Sequence, residues 1–208
     1  MGQGKIGKLR IVALGDLLKD IDRDLLDAML GGFCCTRDAD VQGFLRFEAI
    51  KHEYSNKAKT YVCQDETGDI VGYFALAIKS IAISDSLFAT HRKELEALSH
   101  TPVARDCKYI HPYVPAYVLA LIGKDDTKFS KDKFGGPFLG LVIETILKII
   151  QSAQRNVGGQ VLYLDCEKGL MGYYGNNENG FSFFQENPDN KADDKESDKL
   201  YQMWKSLV

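Results

Sequence analysis

Four lysines, Lys124, Lys128, Lys131 and Lys133, lead into Phe134, Gly135, Gly136 and Pro137, and an apolar run follows over 139–150. Glycine lets a backbone approach an anion closely, a helix start offers unpaired N–H groups with partial positive charge, and lysines add full charge. A pyrophosphate suits such a segment. It also reads as a lysine-rich surface loop with a glycine cap on the helix. Downstream, Tyr173 and Tyr174 follow a strand-like segment that ends in Asp165, and Gly180 and Phe181 come after them. A phenol of pKa ~10 can protonate a departing thiolate, whose thiol titrates near ~8.5. The same pair also reads as packing aromatics. With the strand pair over 60–78 ahead of both segments, the order suggests acyl transfer from a phosphate-bearing thioester.

No residue stands out as the base that would deprotonate an attacking nucleophile. Glu144 lies two turns into the apolar run and reads more simply as a solvated helix residue. His52 and His111 titrate in a useful range but also read as surface or packing histidines. Cys166, next to Asp165, has no activating histidine beside it and reads as buried strand sulfur.

The elements that must position these groups follow from hydropathy spacing. Residues 8–14 alternate weakly as a first strand. Leu17, Leu18, Ile21, Leu25, Leu26 and Met29 recur at helical spacing over 16–30, and Gly31 and Gly32 end that helix. Asp38 or Asp40 caps a second helix reaching about residue 54, with Val41, Phe44, Leu45 and Ile50 on one face. Residues 60–64, an acidic-glycine turn over 65–69, and a long run over 70–83 form a hairpin. The stretch 84–107 is polar, with a short helix near 91–98. Residues 116–122 read as a buried strand after Pro115. Pro137 suits the first position of a central apolar helix, and 161–165 is the next strand, so a parallel crossover joins the two. Residues 168–174 read as a short helix, 188–199 as a solvated loop and 200–208 as a final strand. With no repeat and no linker, 1–208 reads as one α/β domain.

Composition narrows the partners. The 208 residues are 45% hydrophobic and 26% charged, with net charge -3. That suits one sizeable core and does not suit a strongly basic nucleic-acid binder, although a local basic patch fits. No apolar run reaches membrane-spanning length, so no membrane partner is expected. Five cysteines, without CxxC spacing, suggest neither a metal site nor a disulfide framework. Reduced thiols and a cytoplasmic setting are the plain reading.

In this order the segments DVQGFLRFEAIKHE, TYVCQDETGDIVGYFALAIKSI, VPAYVLALIG, VLYLDCE and GYY followed by GF resemble the GNAT superfamily of acetyl-CoA-dependent N-acetyltransferases. They are most similar to its toxin-like branch, which acetylates aminoacyl-tRNA, and the resemblance covers about 41–184. It implies an α/β fold with a mixed, mostly antiparallel sheet, flanking helices, and fourth and fifth strands that splay around the pantetheine arm. It implies that acetyl-CoA is the cosubstrate, bound by Leu121, Ile122, Gly123, Lys131, Lys133, Phe134, Gly135 and Gly136. The backbone of Leu121, Ile122 and Gly123 would meet the pantetheine arm, and the Gly135 and Gly136 N–H groups would cradle the diphosphate. Tyr174, or Tyr173, would be the general acid while a primary amine attacks directly.

The acceptor could be the α-amino group of aminoacyl-tRNA, with Lys51, Lys57, Lys59, Arg92 and Lys93 as the basic patch. A homodimer is left open. The family's phosphate loop reads Arg or Gln, two residues, Gly, one residue, then Gly or Ala. Here one register places Asp132, Gly135 and Pro137 there, and the other Lys131, Phe134 and Gly136. The interval from Tyr174 to Gly180 is longer than usual, and so is 84–112. These departures also fit a catalytically weak or inactive module that binds CoA or a protein partner.

Overall fold

A computed structural model describes residues 7–84, 113–176 and 179–207. The hairpin forms where the acidic turn requires it: β2 (Lys59–Gln64) and β3 (Ile70–Ala82) pair antiparallel. In the turn, Asp65 accepts from the Thr67 and Asp69 amides, and Gly68 adopts φ 89°, which a side chain would oppose. The strand β1 (Arg10–Ala13) adds antiparallel to β2. Next come β4 (Tyr113–Lys124), β5 (Val161–Glu167), β6 (Ser182–Glu186) and β7 (Leu200–Ser206). The hydrogen-bonded order is β1-β2-β3-β4-β5-β7-β6, a mixed, mostly antiparallel sheet with β4 parallel to β5.

That parallel ladder has only two pairs, Tyr117↔Leu162 and Val118↔Tyr163. Both strands continue past it, β4 to Lys124 and β5 to Glu167.

The chain clusters into two compact units, Met1–Ala77 with Leu119–Glu144, and Ile78–Val118 with Thr145–Val208. In the first unit the expected helix over 16–30 is two helices, α1 (Leu14–Asp20) and α2 (Arg23–Gly31). The cause is Asp22, whose carboxylate accepts from the Asp24 and Leu25 amides and so starts a new helix. Asp38 caps α3 (Ala39–Gly43) in the same way. A π-helical turn, Phe44–Glu48, leads into α4 (Ala49–Tyr54). Leu14, Leu26, Leu30, Phe33, Leu45 and Tyr73 form the core of this unit. Removing such side chains from water is worth about 1.5–3 kcal/mol each.

The central helix α6 (Phe138–Val157) begins one residue past Pro137. A one-turn helix, α5 (Lys131–Phe134), precedes it.

In the second unit Ile146, Ile150, Leu162, Leu164, Phe181 and Met203 are buried. A 3-10 turn (Lys168–Leu170) runs into α7 (Met171–Tyr174). The strand β6 has no counterpart among the expected elements. Among the described residues no helix is long and apolar enough to cross a membrane. The expected helix near 91–98, together with Arg92, Lys93 and His111, lies outside the described residues.

Candidate active site

In the first unit the end of β4 is fixed by two consecutive carboxylates. Asp125 is fully buried. It accepts from the Thr127 amide (2.8 Å) and hydroxyl (2.6 Å), the Lys128 amide (3.0 Å) and the Cys34 amide (2.8 Å). Burial pushes its pKa up, but these donors outweigh burial and hold it below the ordinary carboxylate range. Asp126 accepts from Lys124 and from the Thr36 amide and hydroxyl. Its pKa is lowered to about 2, chiefly by Lys124. Together these carboxylates tie the turn between α2 and α3 to the end of β4. Leu121, Ile122 and Gly123 precede them on β4, all partly exposed. A Cβ on Gly123 would overlap Val41, and one on Gly72 would overlap the Phe138 ring. Gly72 therefore lets the first residue of α6 lie against β3.

The lysine-rich loop is less free than its sequence suggests. Lys124 pairs with Asp126 (2.9 Å), Lys128 with Asp69 (3.0 Å) and Lys133 with Asp65 (2.9 Å). Burial alone would raise the pKa of Asp65, but Thr67 and Lys133 bring it down to about 2. Lys131 has no ion-pair partner among the described residues. Phe134 is buried and stacks on Phe129 with centroids 5.2 Å apart.

Gly135 adopts φ 79° and ends α5. Its amide donates to the Lys131 carbonyl (2.8 Å), and so does that of Gly136 (3.0 Å). The cradle assigned to these two N–H groups is thus not available from them while α5 is formed, because both cap that helix. The next amides along the chain belong to the first turn of α6, where Phe138 and Leu139 are buried and Gly140 is exposed.

In the second unit β5 delivers the tyrosines. Tyr174 is buried at 8% exposure, and Tyr173 is partly exposed. The Tyr174 ring meets Tyr173 edge-on at 5.4 Å and Phe181 at 6.3 Å. The long interval after Tyr174 closes on itself. The Asn176 carbonyl accepts from Gly180, and its side chain accepts from the Asn179 amide. Asn179 donates to the Tyr173 carbonyl at 2.7 Å, and the Phe181 amide donates to the Tyr174 carbonyl at 3.3 Å. Tyr174 itself lies in the core.

Sequence reasoning passed over a polar cluster on the same unit. Asp165 lies on β5 two residues past the last pair with β4, directly across from Gln202 on β7. Asn187 donates to it at 2.9 Å. Gln202 also hydrogen-bonds it, while the Gln202 side-chain oxygen accepts from Gln185 at 2.7 Å. Gln185 donates in turn to the Ala82 carbonyl and accepts from the Ser84 amide. Burial holds the Asp165 carboxyl above the ordinary carboxylate range, against Gln202, Lys79 and Asn187. Buried glutamines spaced along β6 and β7 were the available signal.

The candidate bases fare differently. Glu144 is exposed on α6. His52 packs edge-on against Phe44 at 5.2 Å. Cys166 is 4% exposed, and burial pushes its thiol up to about 11, which excludes a ready thiolate nucleophile.

No family model and no curated protein matches the sequence. Solved structures do match its fold. A structure described as a bacterial toxin aligns with TM-score 0.63 at 10% identity, covering 97% of this chain and 92% of that one. AtaTR bound with acetyl-CoA aligns with TM-score 0.58 at 15% identity, covering 96% and 94%. AtaT complexed with acetyl-methionyl-tRNAfMet aligns with TM-score 0.57 at 15% identity, covering 93% and 94%. These likenesses show a GNAT-like fold.

Proposed function

We propose that this chain is an acetyl-CoA-dependent N-acetyltransferase whose acceptor is the α-amino group of an aminoacyl-tRNA. The observation that carries the reading is the fold match along nearly the whole chain to solved structures that include a bacterial toxin and AtaTR bound with acetyl-CoA. The two-pair β4–β5 ladder, with both strands running on, fits the same reading.

Acetyl-CoA would bring a thioester, the activated acyl donor. On this chain, Leu121, Ile122 and Gly123 would meet the pantetheine arm with backbone groups. Such amide donors, aimed at a developing oxyanion, are worth a few kcal/mol. The diphosphate would lie at the first turn of α6, near Gly136 and Gly140, with Lys131 as its nearest uncommitted cation. Phe134 would support the loop from within, and Lys133 would contribute once released from Asp65. Gly135 would act by capping α5, not by donating to phosphate. Tyr174 would hand its phenolic proton to the departing thiolate, with Tyr173 packed against it.

The tRNA acceptor rests on the likeness to AtaT complexed with acetyl-methionyl-tRNAfMet and on a modest basic patch. Within that patch Lys51 pairs with Glu48 and Lys59 with Glu53, while Lys57 is exposed. Phosphate contacts would show as an affinity that falls steeply with salt; a flat response points to a small amine or a peptide.

Calorimetric titration with acetyl-CoA and with CoA tests the cofactor. Saturable binding of both is expected, and none at millimolar cofactor rejects the reading. One second reading has a specific observation behind it. The capped Gly135 and Gly136 amides and the paired lysines suit a GNAT-fold module that binds a ligand or a protein without turnover. Cofactor binding without thiol release across a broad panel of amines would favour it.

A further inference from the structure

The polar cluster on β5, β6 and β7 contains a charge without a counter-charge. Asp165 is partly buried, and its close partners are the neutral amides of Asn187 and Gln202. Among the described residues it makes no ion pair, and Lys79 acts on it only at longer range. Gln185 fixes the orientation: by donating to the Gln202 side-chain oxygen it leaves the Gln202 NH2 to face the carboxylate. Gln185 is itself held by Ala82 and Ser84 at the end of β3. An anion so withdrawn from water is costly unless a cation joins it or a proton neutralises it. Its place on β5 is telling, because β5 runs directly into the turn and helix that carry Tyr173 and Tyr174.

We infer that Asp165 is the anionic subsite that receives the ammonium group of the acceptor amine and takes its first proton. The inference rests on the acetyl-transfer reading for its chemistry but not for its test. The step balances. The ammonium gives one proton to the Asp165 carboxylate, and the neutral nitrogen attacks the acetyl carbonyl. The C–S bond breaks, the thiolate takes the Tyr174 proton, one of the two protons on the nitrogen restores the phenol, and Asp165 gives its proton to water before the next turnover. Asn187 and Gln202 hold the carboxylate in place. The charged or titratable groups around it are Lys79 on β3, Asp189 after β6, and Tyr163, Cys166 and Glu167 on β5.

The test is carbon-13 NMR of protein labelled at the aspartate carboxyl carbons, with the Asp165 signal identified by its loss in Asp165→Asn. The probe is L-methioninamide, and the control is the same amide lacking its amino group. A saturable movement of the Asp165 signal with the amine alone, and a fall in its titration midpoint, is expected. An unmoved signal, or equal movement with both compounds, overturns the inference. In turnover, Asp165→Asn should raise KM for the amine by at least about tenfold, remove the acid limb of the pH profile and leave KM for acetyl-CoA unchanged. Asp165→Glu should recover part of the loss, which a merely structural role would not produce. If the signal moves but wild type releases no thiol, the subsite stands and the transferase reading fails. If thiol is released and Asp165→Asn behaves as wild type, the subsite fails and the transferase reading stands.

Discussion

Two carboxylate environments, one in each unit, treat charge in opposite ways. Around the lysine-rich loop of the first unit, each close carboxylate has its own donor: Lys133 for Asp65, Lys124 for Asp126, Lys128 for Asp69, and amides with a hydroxyl for Asp125. On β5 of the second unit, Asp165 has no ion pair among the described residues and only two amide donors, Asn187 and Gln202, which do not offset its burial. Charges cancelled in place stabilise a loop and remove it from ligand chemistry until a partner is displaced. A charge left uncancelled costs stability and is available to a ligand. Under the proposed function, the contrast separates a cofactor-side scaffold from an acceptor-side reactive group.

The largest expected effect lies on the scaffold side. Asp125→Ala should lower unfolding stability by about 3 kcal/mol, because part-buried donors from Cys34, Thr127 and Lys128 lose their common acceptor. Urea denaturation measures it; a loss under about 1 kcal/mol would show that water replaces the carboxylate.

Next comes acid. Asp65 and Asp126 have folded pKa values of about 2, below the unfolded ~3.9. Depressed values mean stability that is present above pH ~4 and lost as pH falls toward 2, on the order of 1–2 kcal/mol for each group. Asp165 works in the opposite sense, since its raised pKa makes ionisation unfavourable to the fold. Melting curves at successive pH values for wild type and Asp65→Asn should differ at pH 6 and converge near pH 2. Parallel curves would remove Asp65 from this role.

A smaller effect concerns the loop lysine. Asp65→Asn frees Lys133, so acetyl-CoA should bind about threefold more tightly, an ion-pair-sized change, with a steeper salt dependence. Unchanged or weaker binding would show that the pair positions the loop and does not compete with the diphosphate. The smallest effect is Asp165→Asn on stability, which should be neutral or slightly favourable at pH 7. A clear loss would make the carboxylate a structural group.

Much of the first unit was legible in the sequence because its signals are local. The Asp-Glu-Thr-Gly-Asp turn, Asp38 as a cap, and the apolar spacing of α6 each act through neighbours a few residues away. The break between α1 and α2 was hidden because the leucine spacing runs straight through Ile21, while one side chain, Asp22, decides the start of α2. The capping of α5 was hidden because Gly135 can serve either an anion or a helix end, and only the Lys131 carbonyl selects between them. The strand β6 was hidden by its edge position, where Phe183 is 51% exposed and apolar alternation fails. The Asp165 cluster depends on contacts between residues as distant as Ala82 and Gln185, which spacing along a chain does not report. For the tyrosines, order along the chain located the pair and the aromatic packing shows Tyr174 buried, while the chemistry assigned to it stands as a proposal.

The most direct measurement of the central claim is release of free thiol from acetyl-CoA in the presence of methionyl-tRNA, for wild type and Tyr174→Phe, with the acetylated product identified by mass. Thiol release by wild type is expected, slowed by ~10²–10⁴ in Tyr174→Phe with cofactor affinity unchanged. A wild type that binds acetyl-CoA yet releases no thiol with methionyl-tRNA or any other amine would contradict the account, and an undiminished Tyr174→Phe would remove the phenol from the mechanism.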